Sequence, residues 1–261
     1  QYVSRVFSEN QKSDIVRLNS TALPNAKHLF NVVNSQNNER VFFTDKVILV
    51  EGLSDRIVFE KVLEIVAKQN DIQGIPSLEV VSVGGKGLFS AYQKLLEACN
   101  VKWVVIADLD YIEQVGSDDI KTLFVLNADE VKADVITNIK SLDGAALVDR
   151  IEEALSSGDW KDAQDLWAYI KSHRVRLRTN LDAADQAMLN TFIAAKEAEN
   201  VFILGRGALE NYLPEGHKSK DMGALIALVS SDVFWDQLPP EPRADLERIA
   251  KVILGIPLTV G

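Results

Sequence analysis

One cysteine in 261 residues, Cys99, excludes an internal disulfide and fits a reducing cytoplasm. It sits in the helical pattern of residues 91–100 and reads as a packed core thiol. The three histidines, His28, His173 and His217, are scattered and show no zinc-ligand spacing. No apolar run approaches the ~20 residues of a membrane span. The amino terminus, Gln1-Tyr-Val-Ser-Arg-Val, has no signal-peptide core, so no membrane partner is expected. It also lacks a starting methionine, and the expectation is a fragment of a longer chain. Excess positive charge is missing too: the net charge is -10, which argues against a passive nucleic-acid coat. It leaves room for an enzyme, because metal sites concentrate acids and bound divalent ions reverse the local field. There is no internal repeat and no low-complexity tract.

The chain does have enough apolar residues, 47%, to build a large core. Val3–Phe7 and Asp14–Leu18 look like short strands, and residues 31–40 like a polar loop. From Lys46 the pattern alternates. Val47–Val50 is a short apolar run of the kind buried on both faces of a parallel sheet. Ser54 is a candidate N-cap for a helix with Ile57, Val58, Val62, Leu63, Ile65 and Val66 at helical spacing. Residues 74–76 break the chain, and Leu78–Val83 is a second strand. The Gly84-Gly-Lys-Gly87 turn opens another helix, and Lys102–Ala107 is a third strand. Residues 122–126 read as extended. Helical patterns follow over 145–156, 159–172 and 182–199, and then a returning strand, Asn200–Leu204. The tail, 219–254, is helical with a break at 239–242. This order predicts an α/β fold: a central parallel sheet flanked by helices, with an inserted and a C-terminal helical domain.

Two strands end in acids. Glu51 follows Val47–Val50, Gly52 allows a sharp turn, and Asp55 lies one turn into the helix. Asp108 and Asp110 end the third strand, two apart and therefore expected on one face. Four carboxylates at neighbouring strand ends repel one another unless a cation sits between them. Mg²⁺ or Mn²⁺ is the simplest occupant, and phosphoryl transfer the chemistry it suits. The plainer alternatives are a surface acid at Glu51, a helix cap at Asp55 and a polar turn at 108–110.

Val47-Ile-Leu-Val-Glu-Gly52 with Ala107-Asp-Leu-Asp110 resembles the Toprim domain of topoisomerases, primases, recombination proteins and OLD nucleases. The Glu-Gly-x-Ser-Asp form and the late Gly205-Arg-Gly-Ala-Leu-Glu-Asn-Tyr-Leu213 resemble the OLD (overcoming lysogenization defect) branch. The resemblance implies that Glu51, Asp108 and Asp110 hold metal, and that Asp55 and Glu210 hold a second ion. It also implies a Toprim catalytic domain over 46–143 and 200–215, and a helical domain over 144–199 and 216–261. Residues 1–45 would then connect to an ABC-type ATPase domain, through which ATP acts and a homodimer forms. Gly84–Gly87 itself lacks the spacing of a nucleotide-binding loop.

Other candidates surround this set. Ser82, Gly84, Gly85 and Lys86 follow a strand and could receive a phosphate. Arg206, between glycines, could contact a phosphate or pair with an acid. Lys218 and Lys220 are candidates for the lysine that the family places near its metals. Arg174, Arg176 and Arg178 alternate and could present one face to a DNA backbone; a solvated helix end is the plainer alternative. Tyr111 follows the acid pair, but a topoisomerase tyrosine needs a further domain that is not evident. The expected activity is metal-dependent DNA endonuclease cleavage by two ions; the alternative is a single-metal site with Glu51 as the carboxylate base. A primase-like nucleotidyl transferase could use the same acids. A Toprim interaction module or a receiver phosphorylated at Asp108 would not be an enzyme, and a receiver would leave Glu210 and the inserted helices without a role.

Overall fold

The structure, a computed structural model, describes residues 3–9, 12–18, 41, 43–72, 77–126, 149, 152–153, 156–158, 175–178, 180–217 and 221–258. The expected loop at 31–40, the break at 74–76, the helix at 159–172 and most of that at 145–156 lie outside these residues. So do Arg174, Lys218 and Lys220.

The elements run β1 (Val3–Glu9), β2 (Lys12–Leu18), β3 (Lys46–Val50), α1 (Leu53–Gln69), β4 (Leu78–Ser82), α2 (Phe89–Ala98) and β5 (Lys102–Ala107). They continue with α3 (Ile112–Val115), α4 (Asp118–Lys121), β6 (Phe124–Leu126), β7 (Val175–Leu177), α5 (Ala183–Ala198) and β8 (Val201–Ile203). The last are α6 (Met222–Val229), α7 (Phe234–Gln237) and α8 (Pro240–Leu254). By chain contacts they form two units, residues 1–114 with 193–261, and residues 115–192.

In the first unit, β1 and β2 pair as an antiparallel hairpin. The main sheet has the order β4-β3-β5-β8 and is parallel throughout. Its centre is dry: Val47, Ile48, Leu49 and Val50 are fully buried, as a parallel strand covered on both faces requires. α1 turns Val58, Phe59, Val62 and Val66 onto the sheet. Each such side chain stabilises the fold by roughly 1.5–3 kcal/mol on burial.

The C-terminal helices share this core. Phe234, Leu246, Ile249 and Ile253 pack in one cluster with Ile48, Val62 and Val104. Pro240 starts α8, where a missing N–H costs nothing, and Gly255 ends it at φ +73°. The Lys46 ammonium donates to the Ile253 carbonyl at 2.7 Å, tying the start of β3 to the end of α8. The sequence groups 216–261 with the inserted helices. In the structure Leu225 of α6, Phe234 of α7 and Leu246 of α8 lie in the buried cluster that α1 shares with the sheet.

In the second unit, β6 and β7 pair antiparallel. The arginine-rich run is therefore a strand at Val175–Leu177, not a helix end. Among the described residues, no helix is long and apolar enough to cross a membrane.

Candidate metal centre

Strand register builds the site. Val50 is level with Ser82 on one side and Ile106 on the other. Glu51 and Asp108 therefore leave the same edge of the sheet, one residue past β3 and β5. The chain goes from β3 to one neighbour, β4, and then to the other, β5. Strand order thus reverses between β3 and β5, where open α/β sheets place their ligands.

Glu51 is held by the glycine-rich turn. Its carbonyl accepts the Gly84 N–H at 3.0 Å, the Gly85 N–H at 3.2 Å and the Ser82 hydroxyl at 3.4 Å. Gly84 and Gly85 adopt φ +82° and +134°, which side chains rarely tolerate. Gly84, Gly85 and Ser82 were expected as a phosphate cradle; their donors instead seat Glu51.

Asp55 lies in the first turn of α1, and its carboxylate accepts the Gly52 N–H at 2.9 Å. Gly52, in extended conformation, is the N-cap, and Ser54 falls inside the helix. Asp55 is thus both a helix cap and a member of the acid cluster.

Asp108 and Asp110 do not share a strand face as expected, because β5 ends at Ala107. Asp108 caps a short 3₁₀ turn, Leu109–Tyr111, that contains Asp110. Asp108 Oδ1 accepts the Leu209 N–H at 3.2 Å, and the Leu109 N–H donates to the Gly207 carbonyl at 3.0 Å. This stitch brings Glu210 round to the acids, and its charge acts on both Asp55 and Asp108.

Asp110 turns toward Lys86. The Lys86 ammonium donates to Asp110 Oδ2 at 2.9 Å and to Glu113 Oε2 at 2.8 Å. Lys86 is accordingly an internal counter-ion, not an exposed phosphate contact. Burial pulls its pKa down, the two carboxylates more than offset this, and the net shift is upward.

The acids perturb one another strongly. Burial, then repulsion from Asp55, Asp110, Glu51 and Glu210, pushes Asp108 up to about 8. Burial and Asp110 raise Glu51; burial raises Asp55 against its backbone hydrogen bonds. Among the described residues, no three His, Cys, Asp or Glu side chains converge tightly enough to hold an ion as they stand. Lys86 and backbone N–H groups engage several of the oxygens instead. The donor set nevertheless suits a hard divalent cation. All its members are carboxylates, a cation would relieve the crowding around Asp108, and Asp110 Oδ1 is buried without a hydrogen-bond donor.

Other expected residues lie elsewhere. Arg206 pairs with Asp245 at 2.6 Å and Glu241 at 3.1 Å, fastening its turn to α8 and not facing a phosphate. Arg178 is paired with Asp185 at 2.7 Å, and Arg176 lies in β7. Tyr111 is buried, edge-on to Phe89 with ring centroids 5.0 Å apart, so it is a core side chain. Glu113 is the residue that sequence reasoning misses. Its only signal is its spacing, three residues after Asp110 at the start of a helix.

The chain is similar to known proteins over part of its length. Residues 42–110 match the family described as overcoming lysogenization defect protein-like, TOPRIM domain. Endonuclease GajA of Bacillus cereus (strain VD045) is 26% identical over 152 residues, covering 51% of this chain and 26% of that protein. The chain thus spans about a quarter of that relative's length. The C-terminal region of the Xanthomonas campestris pv. campestris OLD protein aligns over 85% of this chain and 86% of its own, at 17% identity and TM-score 0.32. That of Burkholderia pseudomallei OLD aligns over 81% and 99%, at 18% identity and TM-score 0.26. Scores this low leave the assignment to the sheet order and the sequence match. Over residues 42–110 the chain carries the Toprim domain of the overcoming-lysogenization-defect (OLD) family.

Proposed function

We propose that this chain is the nuclease portion of an OLD-type protein, a Mg²⁺- or Mn²⁺-dependent DNA endonuclease that hydrolyses phosphodiester bonds. The observation that carries the reading is the crowding of acids at one sheet edge: Glu51 and Asp108 leave neighbouring strands, Asp110 follows in the same turn, and the Leu209–Asp108 bond draws in Glu210. Such crowding costs the fold free energy and is relieved by cations, a pattern typical of functional sites. Glu51, Asp108 and Asp110 would hold one ion, and Asp55 and Glu210 a second. Bound there, such ions supply an activated water and offset charge on the leaving oxygen.

The chain's own residues supply the positioning. The turn at Gly84 and Gly85 orients Glu51 through its carbonyl. The stitch between Asp108 and Leu209 sets Glu210. DNA as substrate and an ABC-type ATPase as partner within the full-length protein belong to the same proposal. They rest on the resemblance in residues 47–55, 107–110 and 205–213. The deciding experiment is metal-dependent plasmid nicking by Glu51→Ala and Asp108→Ala. Both should abolish it, and full activity in both would sink the reading. Primer synthesis from nucleoside triphosphates on a template would indicate the transferase instead.

A further inference from the structure

Each of two neighbouring carboxylates places one oxygen on the Lys86 ammonium and leaves its other oxygen buried with no hydrogen-bond partner: Asp110 Oδ1 and Glu113 Oε1. A buried carboxylate oxygen without a donor is costly and marks a place where a cation or donor belongs. Asp110 and Glu113 are three residues apart on successive helical turns, so one ammonium reaches both. The Lys86 backbone is pinned by the two residues before it, whose N–H groups donate to the Glu51 carbonyl. Its side chain is a flexible stem ending in a rotatable three-donor head. A divalent ion on Asp110 would lie beside that head, and like charges at such a distance repel strongly in a half-buried site. The ammonium can leave Asp110 and still keep Glu113.

We propose that Lys86 is the resident counter-ion of this site, competing with a divalent cation for Asp110, and that Glu113 is the seat that receives its ammonium when the cation binds. Together the two residues set the metal affinity. Both are positioning residues: Lys86 acts through Asp110, and Glu113 acts through Lys86. This rests on the metal-site reading above. It extends that reading to a residue beyond the family match, which ends at Asp110.

The test is calorimetric titration of Mn²⁺ into the full chain without DNA, with melting curves in chelator to verify folding. Lys86→Met should bind Mn²⁺ about tenfold or more tightly than wild type, because a repelling charge is gone. Lys86→Arg keeps the charge and should bind like wild type. Glu113→Gln should weaken binding by roughly threefold or more, because the ammonium loses its alternative seat. Within Lys86→Met the Glu113→Gln change should matter less. If wild type binds Mn²⁺ and Lys86→Met binds equally or more weakly, the counter-ion inference falls and the metal site stands. Unchanged affinity in Glu113→Gln overturns it too, even if Lys86→Met does not fold. If neither wild type nor Lys86→Met binds Mn²⁺, both readings fall.

Discussion

The backbone N–H of Leu209 donates to Asp108 Oδ1 at 3.2 Å, joining residues 101 apart in sequence. This bond fixes where Glu210 sits, and it depends on the glycine two residues earlier. Gly207 has φ +117°, and a Cβ there would run into the Asn211 side-chain amide. Gly207→Ala should therefore cost about 1–3 kcal/mol of stability and weaken Mn²⁺ binding with it. Gly205→Ala is the control, since its Cβ would meet only the Ile193 side chain at an ordinary 3.8 Å. Chemical denaturation and metal titration of the pair check this. Equal behaviour of the two variants would show that the turn does not position Glu210.

Asp108 should make metal-free stability fall as pH rises. Its carboxyl titrates near 3.9 when unfolded. Folded, burial and the neighbouring acids push it up to about 8. Between those values the folded state holds a proton that the unfolded state has lost. Stability is therefore lost through that window and levels off above it. In chelator, wild type should lose more melting temperature than Asp108→Asn between pH 5.5 and 8. Parallel losses would contradict the crowding argument. Added Mn²⁺ should raise wild-type stability more at pH 8 than at pH 5.5, because it competes with the Asp108 proton.

The sheet and its acids are legible in sequence because a short β-branched run stopped by an acid has few other readings. Val47–Val50 before Glu51 and Val104–Ala107 before Asp108 are such runs. Glu113 is not legible, since its role comes from Lys86, 27 residues earlier, and no local pattern encodes that meeting. The glycines of 84–87 announce a turn, but only strand register reveals that the Gly84 and Gly85 N–H groups end on Glu51. Arg206 shows the same limit: glycines on both sides suggest ligand access, while its partners lie 35 and 39 residues on, in α8. The alternation at 174–178 is a strand signal, yet its partner strand, Phe124–Leu126, is remote in sequence.

Arg206 should prove structural in only a minor way. Its bonds to Asp245 and Glu241 lie at the surface, and exposed pairs contribute about 0–1 kcal/mol. Arg206→Ala should thus shift the melting temperature little. It should also leave the salt dependence of DNA binding unchanged. A drop of about one in the log–log slope would mean that Arg206 leaves α8 to contact a phosphate.

The C-terminal helices should unfold with the sheet. Leu246 on α8 is fully buried in the cluster that contains Ile48 and Val62. Truncating it leaves a cavity at the sheet's own core, and Leu246→Ala should cost about 2–5 kcal/mol. The neighbouring Glu247 makes only an (i, i+4) pair with Lys251, so Glu247→Ala should cost about 0.5 kcal/mol or less. Helical circular dichroism and Mn²⁺ binding, followed through urea, separate the two architectures. With a shared core, Leu246→Ala lowers both midpoints together. Helices that formed a domain of their own would lose structure at lower urea while Glu51, Asp108 and Asp110 still bound metal, and that outcome would return 221–258 to a separate helical domain.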